Sequence, residues 1–127
     1  MALSLEQLKA ASGLKTKDVP CPELGGDVRI AKLQGARGLV VRQFFYSPED
    51  APLTKDQKAA ALIELVAASV VDEAGVRILD SQAGREVIAS MDDEALNRIG
   101  GDCLELNNMV EVKKNLPPTS DSSSSSA

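Results

Sequence analysis

The stretch KDQKAAALIELVAASVVDEAGVRIL, residues 55–79, decides the fold of this chain. Thr54 precedes it as a helix N-cap residue, and Gln57 completes a capping box. An apolar stripe then repeats at spacings of three and four: Ala59, Leu62, Ile63, Val66 and Val70. Further alanines widen this stripe, which predicts a helix that is central to its domain or covered by a neighbouring subunit. Glu64 is the one charge in the run, and we expect it on the exposed side.

A turn, a short strand and a further helix are predicted next. Asp-Glu-Ala-Gly at 72–75 ends the first helix, with Gly75 suited to a positive φ. Residues 76–79 alternate as a short strand does. Asp80 or Ser81 then caps a helix through Ser90, which Gly84 weakens near its start. The side chains predicted to face inward are Val87, Ile88 and Met91.

The last predicted helix begins after Asp92, which serves as its cap. Its apolar residues repeat at three, four, three and four, as in a narrow helix-packing seam: Leu96, Ile99, Cys103, Leu106 and Val110. Two consecutive glycines, Gly100 and Gly101, predict a bend or a close contact within it. Cys103 fits the seam as a small core residue.

The N-terminal part is predicted to form a short helix and a β-hairpin. Ser4 and Gln7 make a capping box for a helix that stops near Gly13 and is marginal alone. Pro20 and Pro22 then exclude helix. The glycines at 25 and 26 with the aspartate at 27 form a turn signal, so we expect strands at 17–24 and 28–33. The prolines place the first strand at a sheet edge.

Residues 39–46, LVVRQFFY, permit either a strand or a helix, and we favour a helix. The β-branched and aromatic content suits a strand, whereas four residues lie at helical spacing: Leu39, Arg42, Gln43 and Tyr46. Phe44, Phe45 and Tyr46 are all the aromatic residues of the protein. They either fill the core or form a patch for a partner. Because adjacent side chains cannot all point inward, we expect at least one at an edge or an interface.

These elements predict a mainly helical α+β fold, with a short helix and a β-hairpin followed by a three- to four-helix part. The 127 residues suit one small domain, which we place at 1–114. Aromatic residues make up only 2% of the chain, so the core must be aliphatic. The Ser-rich stretch at 115–127 is predicted to be a disordered tail.

Charge and residue content exclude several functional classes. A net charge of −5 argues against nucleic-acid binding. Residues 1–46 carry a net charge of +3 and residues 47–127 a net charge of −8, which indicates either unevenly solvated faces or attraction between neighbours in a head-to-tail assembly. The protein has no histidine and no phosphate-binding glycine pattern. We therefore expect no enzymatic activity, no cofactor and no metal site.

Two further features bear on location. The longest apolar run, 59–71, contains Glu64 and is too short and too charged to span a bilayer. The two cysteines, Cys21 and Cys103, lie far apart in sequence and do not make a disulfide framework. No membrane association is expected, and the chain is predicted to stay in a reducing cytoplasm.

Residues 65–109 carry a family resemblance. An apolar helix ends in Val-Asp-Glu-x-Gly-x-Arg at 71–77, an acid-rich short helix follows, and a terminal helix closes on Leu-x-x-x-Asn. This pattern resembles the tail assembly chaperones of long-tailed, non-contractile bacteriophages. The N-terminal part agrees, with a short helix and a Val-Pro-containing hairpin ending in VRIAKLQG. The resemblance covers roughly residues 3–110.

The resemblance implies a specific role. Such chaperones bind the tape-measure protein in the host cytoplasm, keep it soluble until tail-tube subunits polymerise around it, and are absent from the mature virion. They often self-associate, so the tape-measure protein, the tail-tube protein and further copies of this chain are the expected partners. We hypothesise that these interfaces include Phe44, Phe45, Tyr46, Leu96, Ile99 and Leu106. The alternatives are a phage structural or head–tail connector protein, and a small acidic adaptor or binding module.

Overall fold

Helices packed against a small antiparallel sheet form this protein, which a computed structural model describes for residues 2–11, 13–48 and 50–109. In chain order the elements are α1 (Leu5–Ala11), β1 (Thr16–Cys21), β2 (Gly26–Ala31), α2 (Gly35–Gln43), α3 (Lys55–Ser69), β3 (Val70–Val71), α4 (Gln82–Ala89) and α5 (Asp93–Leu106). The predicted α+β, mainly helical class is confirmed. The predicted tail at 115–127 and the last seam residue, Val110, lie outside the described residues.

The hairpin forms as predicted, but its turn lies three residues earlier. β1 pairs with β2 in a register that runs from Thr16 opposite Ala31 to Cys21 opposite Gly26. A single 3-10 turn, Pro22–Leu24, joins them, and Gly25 closes it with φ 86°. The turn predicted at 25–27 was wrong because Pro22 starts the 3-10 turn and leaves Gly26 free to pair. The strand order β1-β2-β3 confirms that the proline-containing strand is at an edge.

The central helix runs directly into a strand. Its capping box is confirmed: Gln57 N donates to Thr54 Oγ1 at 3.1 Å, and Thr54 N donates to Gln57 Oε1 at 2.8 Å. After Ser69 the chain enters β3, which pairs with β2, and Gly75 then takes φ 81° in the turn that follows. The strand predicted at 76–79 was wrong, since only Arg77 forms a bridge, to Val71. The strand that completes the sheet precedes the turn.

The core surrounds α3 on several sides, because α2, α4 and α5 all contact this helix. Leu62, Val66 and Val70 are buried as predicted, whereas Ala59 is exposed. Leu65, which lies outside the predicted stripe, is fully buried. The buried set of α3 is correspondingly broad: Ala61, Leu62, Leu65, Val66, Ala67, Ala68 and Ser69. The helix is therefore covered largely by its own domain.

Two glycines permit close helix packing. A Cβ at Gly100 would lie 2.5 Å from Leu62 Cδ1, so α5 approaches α3 at a distance that leaves no room for a side chain. A Cβ at Gly84 would overlap the carbonyl oxygen of Leu79. Gly84 and Ile88 thus form the inner face of α4, one helical turn apart. The predicted inward position of Val87 was wrong, since this side chain is 53% exposed.

Candidate protein-binding surface

The outer side of α2 and the turn that follows it expose four large apolar side chains. Leu39, Val40, Phe44 and Tyr46 are 66%, 48%, 43% and 75% exposed, and we call these four residues the α2 face. On the opposite side of the helix, Gly38 and Val41 are buried. The helix begins at Gly35, four residues before the stretch for which a helix was favoured. α2 therefore buries one side against the domain, as an amphipathic helix does, but its outer side carries apolar residues where polar ones are usual.

The aromatic residues divide between the core and the surface. At the end of α2 the backbone tightens, and Phe44, Phe45 and Tyr46 each donate to the carbonyl three residues earlier at 3.1 Å. Phe45 packs against the core, whereas Phe44 and Tyr46 point outward. The expectation that these adjacent side chains cannot all point inward is confirmed. Their role in an interface stays a prediction.

Two shallow grooves flank Gln43 on this surface. One has a volume of about 620 Å³ and is lined by Leu39, Arg42, Gln43 and Tyr46. The other has a volume of about 220 Å³ and is lined by Val40, Gln43 and Phe44. Both are open depressions beside exposed apolar side chains. They suit the side chains of a second protein element laid along α2.

A cluster of two arginines and two carboxylates holds α2 against the domain. Arg37 on α2 donates to Asp80 through Nε at 2.9 Å and Nη2 at 2.8 Å. Arg85 on α4 donates to Glu64 on α3 through Nε at 2.6 Å and Nη2 at 2.9 Å. Two longer contacts cross-link these pairs, Arg37 to Glu64 at 3.4 Å and Arg85 to Asp80 at 3.1 Å. The cluster therefore ties three helices together.

Glu64 does not lie on the exposed side, so that prediction was wrong. Its side chain is only 17% exposed because the two arginines cover it. The hydrogen bond from Arg85 lowers the pKa of Glu64, and the hydrogen bond from Arg37 lowers the pKa of Asp80, in both cases against the opposing effect of burial. The same contacts raise the pKa of each arginine, so all four groups are charged at neutral pH.

A second anchor reaches α2 from the end of α5. The buried Asn107 side chain accepts a hydrogen bond from Leu33 N at 2.8 Å and donates to the Cys103 carbonyl at 2.7 Å. Its backbone carbonyl accepts from Arg42 Nη2 at 3.3 Å. Asn108 then takes φ 60°, the left-handed conformation that ends a helix in a Schellman motif. The sequence reasoning missed this anchor, although two asparagines after a helix are typical of such an end.

The structure separates the other predicted interface residues from the α2 face. Ile99 has no accessible surface and is a core residue, so it does not contact a partner in this fold. Leu96 and Leu106 are partly buried and pack against the core. The seam predicted on α5 therefore packs inside the domain. Leu39 and Val40, which the interface prediction did not include, are more exposed than any of these three.

A second set of exposed apolar side chains lies on and beside α1. The predicted capping box is confirmed, with Gln7 N donating to Ser4 Oγ at 3.2 Å and Ser4 N to Gln7 Oε1 at 2.8 Å. No residue of α1 is buried. Leu3, Leu5 and Leu8 are 59%, 68% and 49% exposed. α1 is thus a formed helix whose apolar side chains are exposed.

The chemistry of other candidate sites is limited. Cys21 and Cys103 are both buried, and burial raises the pKa of Cys103 to about 12, which disfavours the reactive thiolate. Within the described ranges, no three His, Cys, Asp or Glu side chains are grouped as metal ligands. The helices described are all too short or too polar to traverse a bilayer.

Comparison of the chain with protein-family models, with curated proteins and with solved structures found no match. The functional interpretation therefore depends on the geometry of the α2 face and on the sequence pattern.

Proposed function

We propose that this protein is a tail assembly chaperone of a long-tailed, non-contractile bacteriophage. It binds the tape-measure protein through the α2 face and keeps it soluble in the host cytoplasm while the tail is built, and it self-associates. The observation that carries the proposal is the exposed apolar α2 face, which two anchors hold on the domain. The resemblance of residues 65–109 to this family of chaperones supplies the identity of the client.

The α2 face suits a helical client. Its exposed residues lie along two turns, and the two grooves beside Gln43 accept side chains from a helix laid along α2. Full burial of one large apolar side chain contributes about 1.5–3 kcal/mol. Since these four side chains are already partly buried, a client gains roughly 4 kcal/mol from them. Association costs at least about as much, so each site binds weakly and reversibly.

Weak single sites agree with the proposed role. A chaperone that leaves before the tail is complete must release its client without a large barrier. Displacement by the tail-tube protein then proceeds one weak site at a time.

Co-expression with the tape-measure protein tests the proposal. The wild-type chain is expected to keep the client in the soluble fraction, and a Leu39→Glu/Tyr46→Glu variant is expected to lose this activity. Val87→Glu is a matched control, because Val87 is similarly exposed but lies on α4. A soluble client in the presence of the double variant contradicts the assignment of the α2 face. Recovery of the protein in purified virions would favour the alternative of a structural subunit.

A further inference from the structure

The described residues include two groups of exposed apolar side chains on or beside helices, the α2 face and the leucines of α1. A seven-residue helix such as α1 is marginal in water, because nucleation is costly and few hydrogen bonds repay it. Its capping box contributes only locally. Burial of Leu5 and Leu8 against another surface is the interaction that would hold it as a helix.

The two surfaces match in length. The seven residues of α1 span about 10 Å at 1.5 Å per residue, and the step from Leu39 on α2 to Tyr46 in the tightened turn after it covers roughly 10–12 Å. Leu5 and Leu8 lie one turn apart, and the two grooves of the α2 face lie on either side of Gln43. Two leucines one turn apart are therefore available for the two grooves.

The charges beside the two surfaces are also complementary. Arg42 lines the larger groove, and its guanidinium donates to the Asn107 carbonyl at 3.3 Å but pairs with no carboxylate among the described residues. Glu6 follows Leu5 on α1, is exposed, and likewise has no ion-pair partner within the described ranges. An α1 helix placed on the α2 face brings an unpaired acid to an unpaired base.

We propose that α1 of one molecule docks on the α2 face of a second copy of this chain, with Leu5 and Leu8 in the two grooves and Glu6 beside Arg42. The contact is heterologous, because each molecule offers a helix at one place and an acceptor face at another. Such contacts extend head to tail. The interface is small, so the association is weak and depends on concentration. α1 and a client helix then compete for the same face; this competition, unlike the docking itself, rests on the proposed function.

Complementary variants test the mode of contact. Sedimentation velocity of the full chain over a range of concentrations is expected to show growing oligomers for the wild type. The arm variant Leu5→Glu/Leu8→Glu and the face variant Leu39→Glu/Tyr46→Glu are each expected to be monomeric. An equimolar mixture of the two retains one intact helix and one intact face, so it is expected to form a 1:1 heterodimer and nothing larger. Val87→Glu is expected to assemble like the wild type.

A charge exchange tests the orientation of α1. Glu6→Arg is expected to raise the dissociation constant about tenfold. Arg42→Glu in the same chain is expected to recover part of the lost affinity, because the charge pair is then reversed while the hydrogen bond from Arg42 to the Asn107 carbonyl is lost. Circular dichroism confirms that the substituted chains are folded.

Two results would overturn the proposal. One is a wild-type chain that stays monomeric at the highest attainable concentration, including the case in which α1 folds back on its own α2 face. The other is a mixture of the arm and face variants that forms no heterodimer. Neither measurement contains a client, so these failures are separate from failure of the proposed client binding, although a monomeric wild type would also contradict the proposed self-association. Client solubilisation by the monomeric arm variant would support the function without the assembly.

Discussion

Replacement of Glu64 with glutamine tests whether the charged cluster holds α2 on the domain. The carboxylate accepts hydrogen bonds from Arg85 at 2.6 and 2.9 Å and from Arg37 at 3.4 Å. A hydrogen bond to a charged group contributes about 1.5–3 kcal/mol net. Glutamine keeps one acceptor oxygen but turns an amino group toward the arginines. Because the side chain is 17% exposed and solvent screens part of the interaction, we expect a loss of about 2–3 kcal/mol in the free energy of unfolding.

Urea unfolding followed by circular dichroism measures this loss. The midpoint is expected to fall with an unchanged slope, since the surface exposed on unfolding stays the same. In thermal unfolding the same loss corresponds to roughly 8–20 °C for a domain of this size. Glu86→Gln is the matched control, because it also lies on a helix and its side chain is exposed. It is expected to change the free energy by less than about 0.5 kcal/mol.

A Glu64→Gln variant as stable as the Glu86→Gln control would refute this reasoning. Such a result would mean that the attraction within the cluster only offsets the cost of removing its charges from water. The α2 face would then depend on the Asn107 anchor and on apolar packing for its position.

Three further predictions concern acid, glycine and thiol chemistry. The native pKa values of Glu64 and Asp80 lie below their ordinary values, so the stability that these carboxylates contribute is present above about pH 4.3 and is lost as pH falls through the native values. In Glu64→Gln, the free energy of unfolding is therefore expected to change less with pH over this acid range. Gly84→Ala is expected to lower the free energy of unfolding by more than about 3 kcal/mol or to prevent folding, because the new methyl group would overlap the Leu79 backbone. Gly26→Ala places its methyl group in open space and is expected to lower the same free energy by under about 1 kcal/mol, as measured by urea titration. Cys103, fully buried, is expected to react with a thiol reagent only at the rate of unfolding, which mass spectrometry follows with increasing urea.

Local features of the fold could be predicted because they depend on residues close in sequence. The capping boxes at Ser4 and Thr54 each involve a partner three residues away, and the Asp92 side chain accepts from the backbone amides of Glu94 and Ala95, two and three residues away. Short-range hydrogen bonds of this kind are set by residue type and spacing alone. The helical conformation of α2 also followed from spacing.

The features that failed depend on residues far apart in the chain. The apolar periodicity of α3 predicts that Glu64 faces solvent. The arginines that cover it, Arg37 and Arg85, lie on two other helices, so the pattern within α3 does not reveal them. Helix propensity alone predicts that Gly84 destabilises α4, whereas the nearby backbone of Leu79 leaves no room for a larger residue at this position. In both cases tertiary packing reverses the local preference.

The candidate surface was only half predictable. Phe44 and Tyr46 attract attention as two of the few aromatic residues, and both are exposed. Leu39 and Val40 look like core residues in sequence. Their exposure follows only once Val41 is known to face inward, which fixes the rotation of the helix about its axis. The residue types of α2 alone do not determine which side of the helix faces the core.

The hydrogen bond from Leu33 to Asn107 has a consequence for biosynthesis. It joins residues 74 positions apart, so the segment that leads into α2 cannot be secured until the end of α5 has been translated. At about 5–20 residues per second, this delay lasts roughly 4–15 s. Contacts of such high sequence separation also form late during folding, because loop closure must precede them. During this interval the nascent chain already contains the leucines of α1 and the apolar residues of α2, so we expect co-translational association with another chain to compete with correct folding.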